Sequence, residues 1–462
     1  MLLNNEQTAA FSPKSFGLIV LAFALSIFFV RFDGYIVNLA MPTFVEYFDV
    51  SIGQASWISV SYVLSQVSAI MLFGKLCGRL SIKKVFVYGL AVFTASSLLC
   101  GTSSNFPYLI ISRCIQGLGG SMMLVSAYAA MVAYLPREHI GWGLGIMTVS
   151  AALGVLLGPV AGGFLIKYLD WRWVFLINLP LGILGILFSQ KVIPNLAGSK
   201  IFTFKDIDFI GLIYSGVALF LLIYSLSIAH EDGLFSPVVL GCISFSVLFF
   251  FAFYVEEKRS RNPLIDIKLF NNREFALVIV STIVGFFLFF GGGFLVPFYL
   301  TQKGLDTKEI GLLLTVFSFV YMPIGLYSGR LSDKIDPRKI VCWAMLLAAI
   351  TGFIFSGTLI RQGIQASVIY LIMLAVSYGL FFSPINYYIM SFSDEDTKGS
   401  VSALYNVSLN ISMALGIVLL ESVYSSFKIP LDGFKAAFFA AGFCCLISLA
   451  ILIFLNKARR AA

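Results

Sequence analysis

The amino-acid sequence predicts an all-α, polytopic membrane protein of fourteen transmembrane helices, built as two six-helix bundles related by an internal repeat with two extra helices between them. Three observations predict it. Hydrophobic residues make up 59% of the 462 residues against 12% charged, too little polar surface for a water-soluble chain of this length. The apolar residues fall into runs of roughly 20, the length that crosses a hydrocarbon core in helical form. Two short basic segments also resemble each other at a constant spacing in the two halves.

Taken in order, the predicted spans are 16–40, 54–73, 85–103, 107–134, 141–166, 173–193, 209–229, 236–255, 275–299, 310–328, 340–360, 367–390, 400–426 and 434–455. The first run, from Phe16, is too long for the apolar core of a signal peptide and has no small-residue cleavage site behind it, so it reads as the first membrane helix. With the N-terminus inside, 22 Lys and Arg residues fall in cytoplasmic segments and 7 in outer ones, while Arg31 and Arg113 lie within spans. This asymmetry predicts a multi-pass protein of the cytoplasmic membrane with both termini in the cytoplasm. Between the eighth and ninth spans, Glu256 to Glu274 mixes charges with Leu264, Ile265, Ile267, Leu269 and Phe270, either a short amphipathic stretch on the membrane face or an ordinary linker.

The repeat is carried by Gly74, Leu76, Arg79, Lys83 and Lys84, which match Gly329, Leu331, Lys334, Arg338 and Lys339 at an offset of 255. Each set joins the second helix of a block to its third. The register divides the chain into an N-terminal six-helix bundle at 1–193, a linker with helices seven and eight at 194–262, and a C-terminal six-helix bundle with its tail at 263–462.

The net charge of +8 does not point to nucleic acid, because the basic residues sit in short segments between apolar runs, where they set membrane orientation. The partners expected are the lipid bilayer and a small molecule, with the chain acting as a monomer. Cys77, Cys100, Cys114, Cys242, Cys342, Cys444 and Cys445 show no CxxC spacing and no Cys/His cluster, so free, buried thiols and no metal site or cofactor are expected. No nucleophile–base motif, metal-ligand set or Gly-rich phosphate loop suggests an enzyme.

Several motifs then occur in order. Span one holds Asp33, Gly34, Ile36, Val37, Asn38, Ala40 and Pro42, and span two Trp57, Ser61, Tyr62 and Leu64. Span four holds Arg113, Gln116, Gly117 and Gly119; span five holds Gly154, Gly158, Pro159, Gly162 and Gly163; then come Trp171, Arg172, Trp173, Phe175, Ile177, Asn178 and Pro180. Over essentially the whole chain these resemble the signatures of the major facilitator superfamily, specifically its fourteen-helix drug:proton antiporter branch. The resemblance implies export of a small molecule in exchange for protons by alternating access, with the span-five glycines as the antiporter motif and Gly74, Arg79, Lys83, Lys84, Gly329, Asp333 and Arg338 as cytoplasmic gating loops. The chain departs from the family at Gly78, which stands where the family has an acid thought to latch the outward-open state; the second copy keeps its acid, Asp333.

An ionisable group within a span costs roughly 2.5 to 3.5 kcal/mol on insertion scales, so Asp33 and Arg113 are expected to face the bundle interior and answer each other. Both lie about 10 Å below the outer ends of their helices at about 1.5 Å per residue. Arg113, Gln116, Gly117 and Gly120 follow i, i+3, i+4, i+7 spacing and form one polar, small-residue stripe. Asp33 is the candidate proton acceptor, a role the resemblance also implies; a permanent structural ion pair is the alternative. Glu421, in span thirteen, is a candidate for a second proton or a cationic substrate, with interfacial solvation as the alternative.

Arg31 is two residues from Asp33 and so about 200° around the helix. It either lines a neighbouring part of the cavity, favouring an anionic or zwitterionic substrate, or snorkels to a packing site or headgroup. With it, Tyr62, Gln66, Gln116, Asn386, Tyr387, Asn406 and Asn410 are candidates for a mid-membrane substrate cavity, each also able to serve as a helix-packing hydrogen bond. Phe286, Phe287, Phe289 and Phe290 are expected to pack helices or face lipid. Multidrug efflux is the function the resemblance implies; a dedicated metabolite or siderophore exporter, a proton symporter or facilitator, and a non-transporting membrane sensor are the alternatives.

Overall fold

The computed structural model describes residues 13–79, 81–194, 209–233, 235–260, 267–332, 334–357, 364–392 and 398–461. The long helices among them are α1 (Pro13–Phe48), α2 (Ile52–Arg79), α3 (Ile82–Gly101), α4 (Phe106–Tyr134), α5 (Arg137–Tyr168), α6 (Trp173–Val192), α7 (Phe209–Asp232), α8 (Pro237–Arg259), α9 (Arg273–Gln302), α10 (Thr307–Leu331), α11 (Pro337–Gly357), α12 (Ile364–Met390), α13 (Lys398–Ser425) and α14 (Pro430–Ala461). Their starts are written locally. The Asn105 side chain accepts from the Tyr108 amide at α4, Ser236 caps α8 ahead of Pro237, and Asp306 and Glu309 form a reciprocal capping box at α10.

Among the described residues, twelve helices are long and apolar enough to cross a membrane, and a shorter apolar stretch, Ile210–Leu226, lies in α7. Other boundaries also shift. Pro42 does not end α1, which continues to Phe48; α6 is interrupted at Ile177; and α9 contains a π-turn at Leu288–Gly292. Of the amphipathic stretch expected between α8 and α9, Leu264 and Ile265 lie outside the described residues, while Ile267–Asn271 forms a 3-10 turn whose Phe270 ring packs against Phe275. All seven cysteines are free, but only Cys77, Cys100 and Cys445 are buried; the others are half-buried because their helix faces are only partly covered.

The helices divide into two compact units, Met1–Asp49 with Trp57–Leu212, and Val50–Ser56 with Ile213–Ala462. In the first, α1 packs on α5 and α6, and α3 on α4 and α6; in the second, α9 packs on α13 and α14, and α11 on α12 and α14. The same pairing therefore recurs when α1–α6 are matched to α9–α14. Close packing relies on glycine where backbones meet: a Cβ on Gly119 would stand 2.6 Å from the Phe93 amide nitrogen in α3, and one on Gly352 2.9 Å from the Cα of Gly442 in α14.

Candidate functional site

Three helices of the first unit, α1, α4 and α6, meet at Asp33, and α2 and α3 hold its partners Arg113 and Gln116. Asp33 lies in the middle of α1, fully buried, and its carboxylate receives three N–H donors: Arg113 Nη1 in α4 donates to Oδ2 at 2.7 Å, Gln116 Nε2 to Oδ1 at 3.1 Å, and Asn178 Nδ2 in α6 to Oδ1 at 2.8 Å. Arg113 is 1% exposed. Its Nη1 also donates to Gln116 Oε1 at 2.6 Å and its Nε to the Ile58 carbonyl in α2 at 3.0 Å. The guanidinium stacks 4.2 Å from the ring centroid of Tyr62 and lies 5.8 Å from that of Phe175. Gln116 is fixed from the other side by Ser97 of α3, which accepts from its Nε2 at 2.8 Å.

The local sequence explains this arrangement. Arg113 and Gln116 are three residues apart on α4 and so share a face, with Gly117 and Gly120 beside them on the same stripe. A side chain at Gly117 would run into the Tyr62 carbonyl, and one at Gly120 would meet the Tyr62 hydroxyl at 2.8 Å and Gln66 Nε2 at 3.0 Å. Glycine at these positions thus lets α2 press Tyr62 onto Arg113. Gln66 Nε2 donates to the Tyr62 hydroxyl at 3.3 Å. Asn178 follows the break in α6 at Ile177. Sequence reading placed Asn178 in a motif but gave it no partner, and Ser97 carried no signal beyond being a serine in an apolar run.

The α5 glycines seat α1. A Cβ at Gly154 would stand 2.7 Å from the Phe28 carbonyl oxygen and 2.9 Å from Arg31 Cβ, at Gly158 2.9 Å from Tyr35 Cβ, and at Gly162 2.8 Å from Ile36 Cγ1. Gly163 and Pro159 lie in the same helix. Arg31 is half-buried.

In the second unit the candidate residues do not gather at one point. Glu421 in α13 is fully buried, which removes interfacial solvation as its description; Ser425 donates to its Oε1 at 2.5 Å, and a Cβ on Gly53 would meet that oxygen at 2.9 Å. Asn410 Nδ2 donates to the Asn406 carbonyl at 2.9 Å, a bond within α13. Asn386 is half-buried and Tyr387 is 48% exposed on α12.

Of the gating-loop candidates, Gly74 and Arg79 lie within α2, and Asp333 lies outside the described residues. Lys83 Nζ donates to the Gln190 carbonyl at 2.8 Å, and Lys84 is exposed. Gly329 approaches Ser383 of α12. Arg338 sits 3.6 Å from Glu274 Oε1, which also accepts from the Tyr388 hydroxyl at 2.6 Å, and its guanidinium lies 5.2 Å from the Tyr388 ring centroid.

An all-helical chain with two units of repeated packing, many apolar crossings and a dry ion pair inside one unit has the architecture of a multi-pass membrane transporter. The chain belongs to the Major Facilitator Superfamily, whose sequence profile matches residues 23–417 and 277–462, and it is accordingly a transporter and not an enzyme. Among its relatives, the riboflavin transporter RibZ of Clostridioides difficile is 24% identical over 452 residues, covering 95% of this chain and 97% of RibZ. The putative multidrug resistance protein MdtD of Pectobacterium atrosepticum is 26% identical over 88% of this chain and 87% of its own, and the multidrug transporter protein MdtP of Bacillus subtilis 26% over 88% and 75%. The same fold is found in a crystal structure of the peptide transporter POT in complex with sulfate, with a TM-score of 0.72 at 14% identity over 95% of this chain and 94% of that one.

Proposed function

We propose that this protein is a proton-coupled antiporter that exports small amphipathic molecules from the cytoplasm by alternating access. The observation that carries the reading is the buried pair of Asp33, in the middle of α1, and Arg113, in the first third of α4, held by Gln116, Asn178 and Ser97. A carboxylate this dry stays charged only while its donors remain in place. A movement that withdraws Arg113 favours proton uptake by Asp33, and its return favours release, which links proton occupancy to conformation. Glu421, also fully buried, is a candidate for a second proton site.

The architecture we propose for this role has fourteen spans, α1–α6 and α9–α14 being the two six-helix bundles and α7 and α8 the added pair, in the cytoplasmic membrane with both termini in the cytoplasm and the chain acting as a monomer. Export direction is supported by the resemblance of the α5 glycines to the family's antiporter motif and by relatives named as multidrug proteins. A second reading, a transporter dedicated to one metabolite, is favoured by the near full-length match to a riboflavin transporter.

The test is substrate-induced proton movement in liposomes reconstituted with the purified protein and a trapped pH dye. Cationic, zwitterionic and anionic compounds, riboflavin among them, are screened on wild type and Asp33→Asn. Proton movement opposite to substrate flux, lost in a normally folded Asp33→Asn, is expected. Flux that proceeds equally in the variant with the same proton movement would sink the assignment of Asp33, and a response to riboflavin alone would favour the dedicated transporter.

A further inference from the structure

The amide of Asn178 is only half used. Its side chain is 2% exposed, and while Nδ2 donates to Asp33 Oδ1 at 2.8 Å, its own carbonyl oxygen is buried with no hydrogen-bond donor. Buried side-chain oxygens nearly always receive a donor, so an orphan beside an ionisable group raises the question of which donor it awaits. With Asp33 ionised, only the nitrogen end of the amide can face the carboxylate, which accounts for the orientation seen.

Proton uptake forms one O–H bond on the Asp33 carboxylate, and the new hydroxyl is a donor that needs an acceptor. On Oδ2 it would face Arg113, whose guanidinium has none. On Oδ1 it would face two amide nitrogens, Gln116 Nε2 at 3.1 Å and Asn178 Nδ2 at 2.8 Å, so one amide must turn round. Gln116 is pinned at both ends, because its Oε1 accepts from Arg113 at 2.6 Å and its Nε2 donates to Ser97 at 2.8 Å. The Asn178 side chain makes only the one bond to Asp33. A half-turn about its last torsion, which has a broad and roughly two-fold profile, exchanges Nδ2 and Oδ1. The carbonyl then stands where the nitrogen now stands, 2.8 Å from Asp33 Oδ1, within the range of an O–H···O bond. The amide makes one bond to Asp33 before the turn and one after it.

The other titratable groups packed around the pair do not offer this acceptor. Tyr62 of α2 stacks on Arg113 at 4.2 Å, the Cys100 thiol of α3 donates to Gln116 Oε1 at 3.7 Å, and Arg31 of α1 sets its Cβ against Gly154 of α5. We propose that Asn178 is the positioning residue that reads the proton on Asp33: its amide donates to the carboxylate and, after a half-turn, accepts from the carboxylic acid. This rests on Asp33 as the proton acceptor and goes beyond it by naming the group through which the change of state reaches α6. Asn178 opens the second segment of α6 directly after the break at Ile177, so the amide sits at a joint of that helix.

The test is difference infrared spectroscopy of the purified full-length protein between neutral and acid pH, with Asp33→Asn to assign the carboxylic-acid C=O band of Asp33. Asn178→Leu, similar in size and unable to accept, is expected to move that band to higher frequency. Asn178→Ser, whose hydroxyl can accept, is expected to hold it near the wild-type position. A band at or below the wild-type frequency in Asn178→Leu would overturn the proposal and leave Asp33 standing as the proton acceptor. An equal shift in both variants would assign Asn178 a packing role and overturn it as well. No Asp33-dependent band on acidification would remove the proton reading itself, and this proposal with it. If Asn178→Leu fails to fold, wild type isotope-labelled at the asparagine side-chain carbonyl carbon decides. One asparagine carbonyl band is expected to move to lower frequency as the Asp33 band appears, and a spectrum in which none moves would overturn the proposal.

Discussion

At matched positions the two repeated units fill their interiors differently. In the first, one residue on each of α1, α4 and α6 brings a charge or an amide to a single point, Asp33, Arg113 and Asn178, with Gln116 closing the set. Shifted by the repeat offset of 255, Asp33 falls on Leu288 and Arg113 on Val368. Around Leu288 the second unit instead gathers aromatic rings: Phe286 lies edge-on to Phe381 at 4.8 Å, Phe289 to Tyr378 at 4.9 Å, and Tyr378 stacks on Phe382 at 5.4 Å. One packing plan thus supports a polar cluster around Asp33 that must match donor to acceptor and an apolar cluster around Leu288 that must match volume. The first fails sharply when one partner is lost; the second yields by degrees.

The largest effect that follows from this contrast is at Arg113. Arg113→Met keeps much of the side-chain length but leaves Asp33 buried without its cation, at an expected loss of about 3–5 kcal/mol. Phe286→Leu in the second unit is expected to cost less than about 1.5 kcal/mol, since its neighbours can close on a smaller apolar group. The double variant Asp33→Leu/Arg113→Met removes both charges and should recover most of the stability lost in Arg113→Met, while losing proton-coupled flux. Thermal unfolding of the purified proteins in detergent measures all three. Equal losses in Arg113→Met and Phe286→Leu would break the distinction between the two interiors.

A smaller effect tests the helix contact that carries the polar site. A Cβ at Gly158 would press on Tyr35 Cβ, the Phe32 carbonyl and the Ile36 amide of α1, two of which are backbone and cannot swing aside. Gly158→Ala is therefore expected to cost about 1–3 kcal/mol through overpacking. Gly145 lies on the same helix with nothing within 4 Å of its would-be Cβ. There the substitution to Ala should be neutral or stabilising by up to about 1 kcal/mol, the helix-propensity difference. The same two unfolding curves give the sign at each site, and a like sign at both would mean that α1 does not rest on Gly158.

Much of this was legible in the sequence because membrane insertion penalises charge and so makes every exception informative. The all-helical class followed from composition and run length, and the superfamily from ordered motifs at Asp33, Arg113, Gly158 and Trp171. The residues near Asp33 were less legible. Gln116 could be named from its spacing to Arg113 on one helix, but Asn178 and Ser97 reach Asp33 and Gln116 from other helices, and no local period encodes such an approach. In α2, seven Ser and Gln residues between Gln54 and Ser68 dilute the apolar run, and such side chains bond back to the helix, as Ser56 and Ser65 do with the Gly53 and Ser61 carbonyls.

The weakest contrast lies at the helix ends, where the second unit has its own polar cluster. Glu274 at the start of α9 accepts from Tyr388 of α12 at 2.6 Å and lies 3.6 Å from Arg338 at the start of α11. These groups are partly solvated, with side-chain exposures of 26% for Glu274 and 17% for Arg338, so water can replace a lost partner as it cannot around Asp33. Tyr388→Phe removes only the hydroxyl and leaves the ring beneath the guanidinium. The expected loss is about 0.5–1.5 kcal/mol, the ordinary net worth of one hydrogen bond, and it should be insensitive to whether Asp33 and Arg113 are intact. Unfolding of Tyr388→Phe in the wild-type and Asp33→Leu/Arg113→Met backgrounds measures both the size and the independence. A loss as large as that of Arg113→Met would mean that solvation at the helix ends does not soften the second unit, and the difference between the two units would then lie in where their polar groups sit, with no difference in how strongly each depends on them.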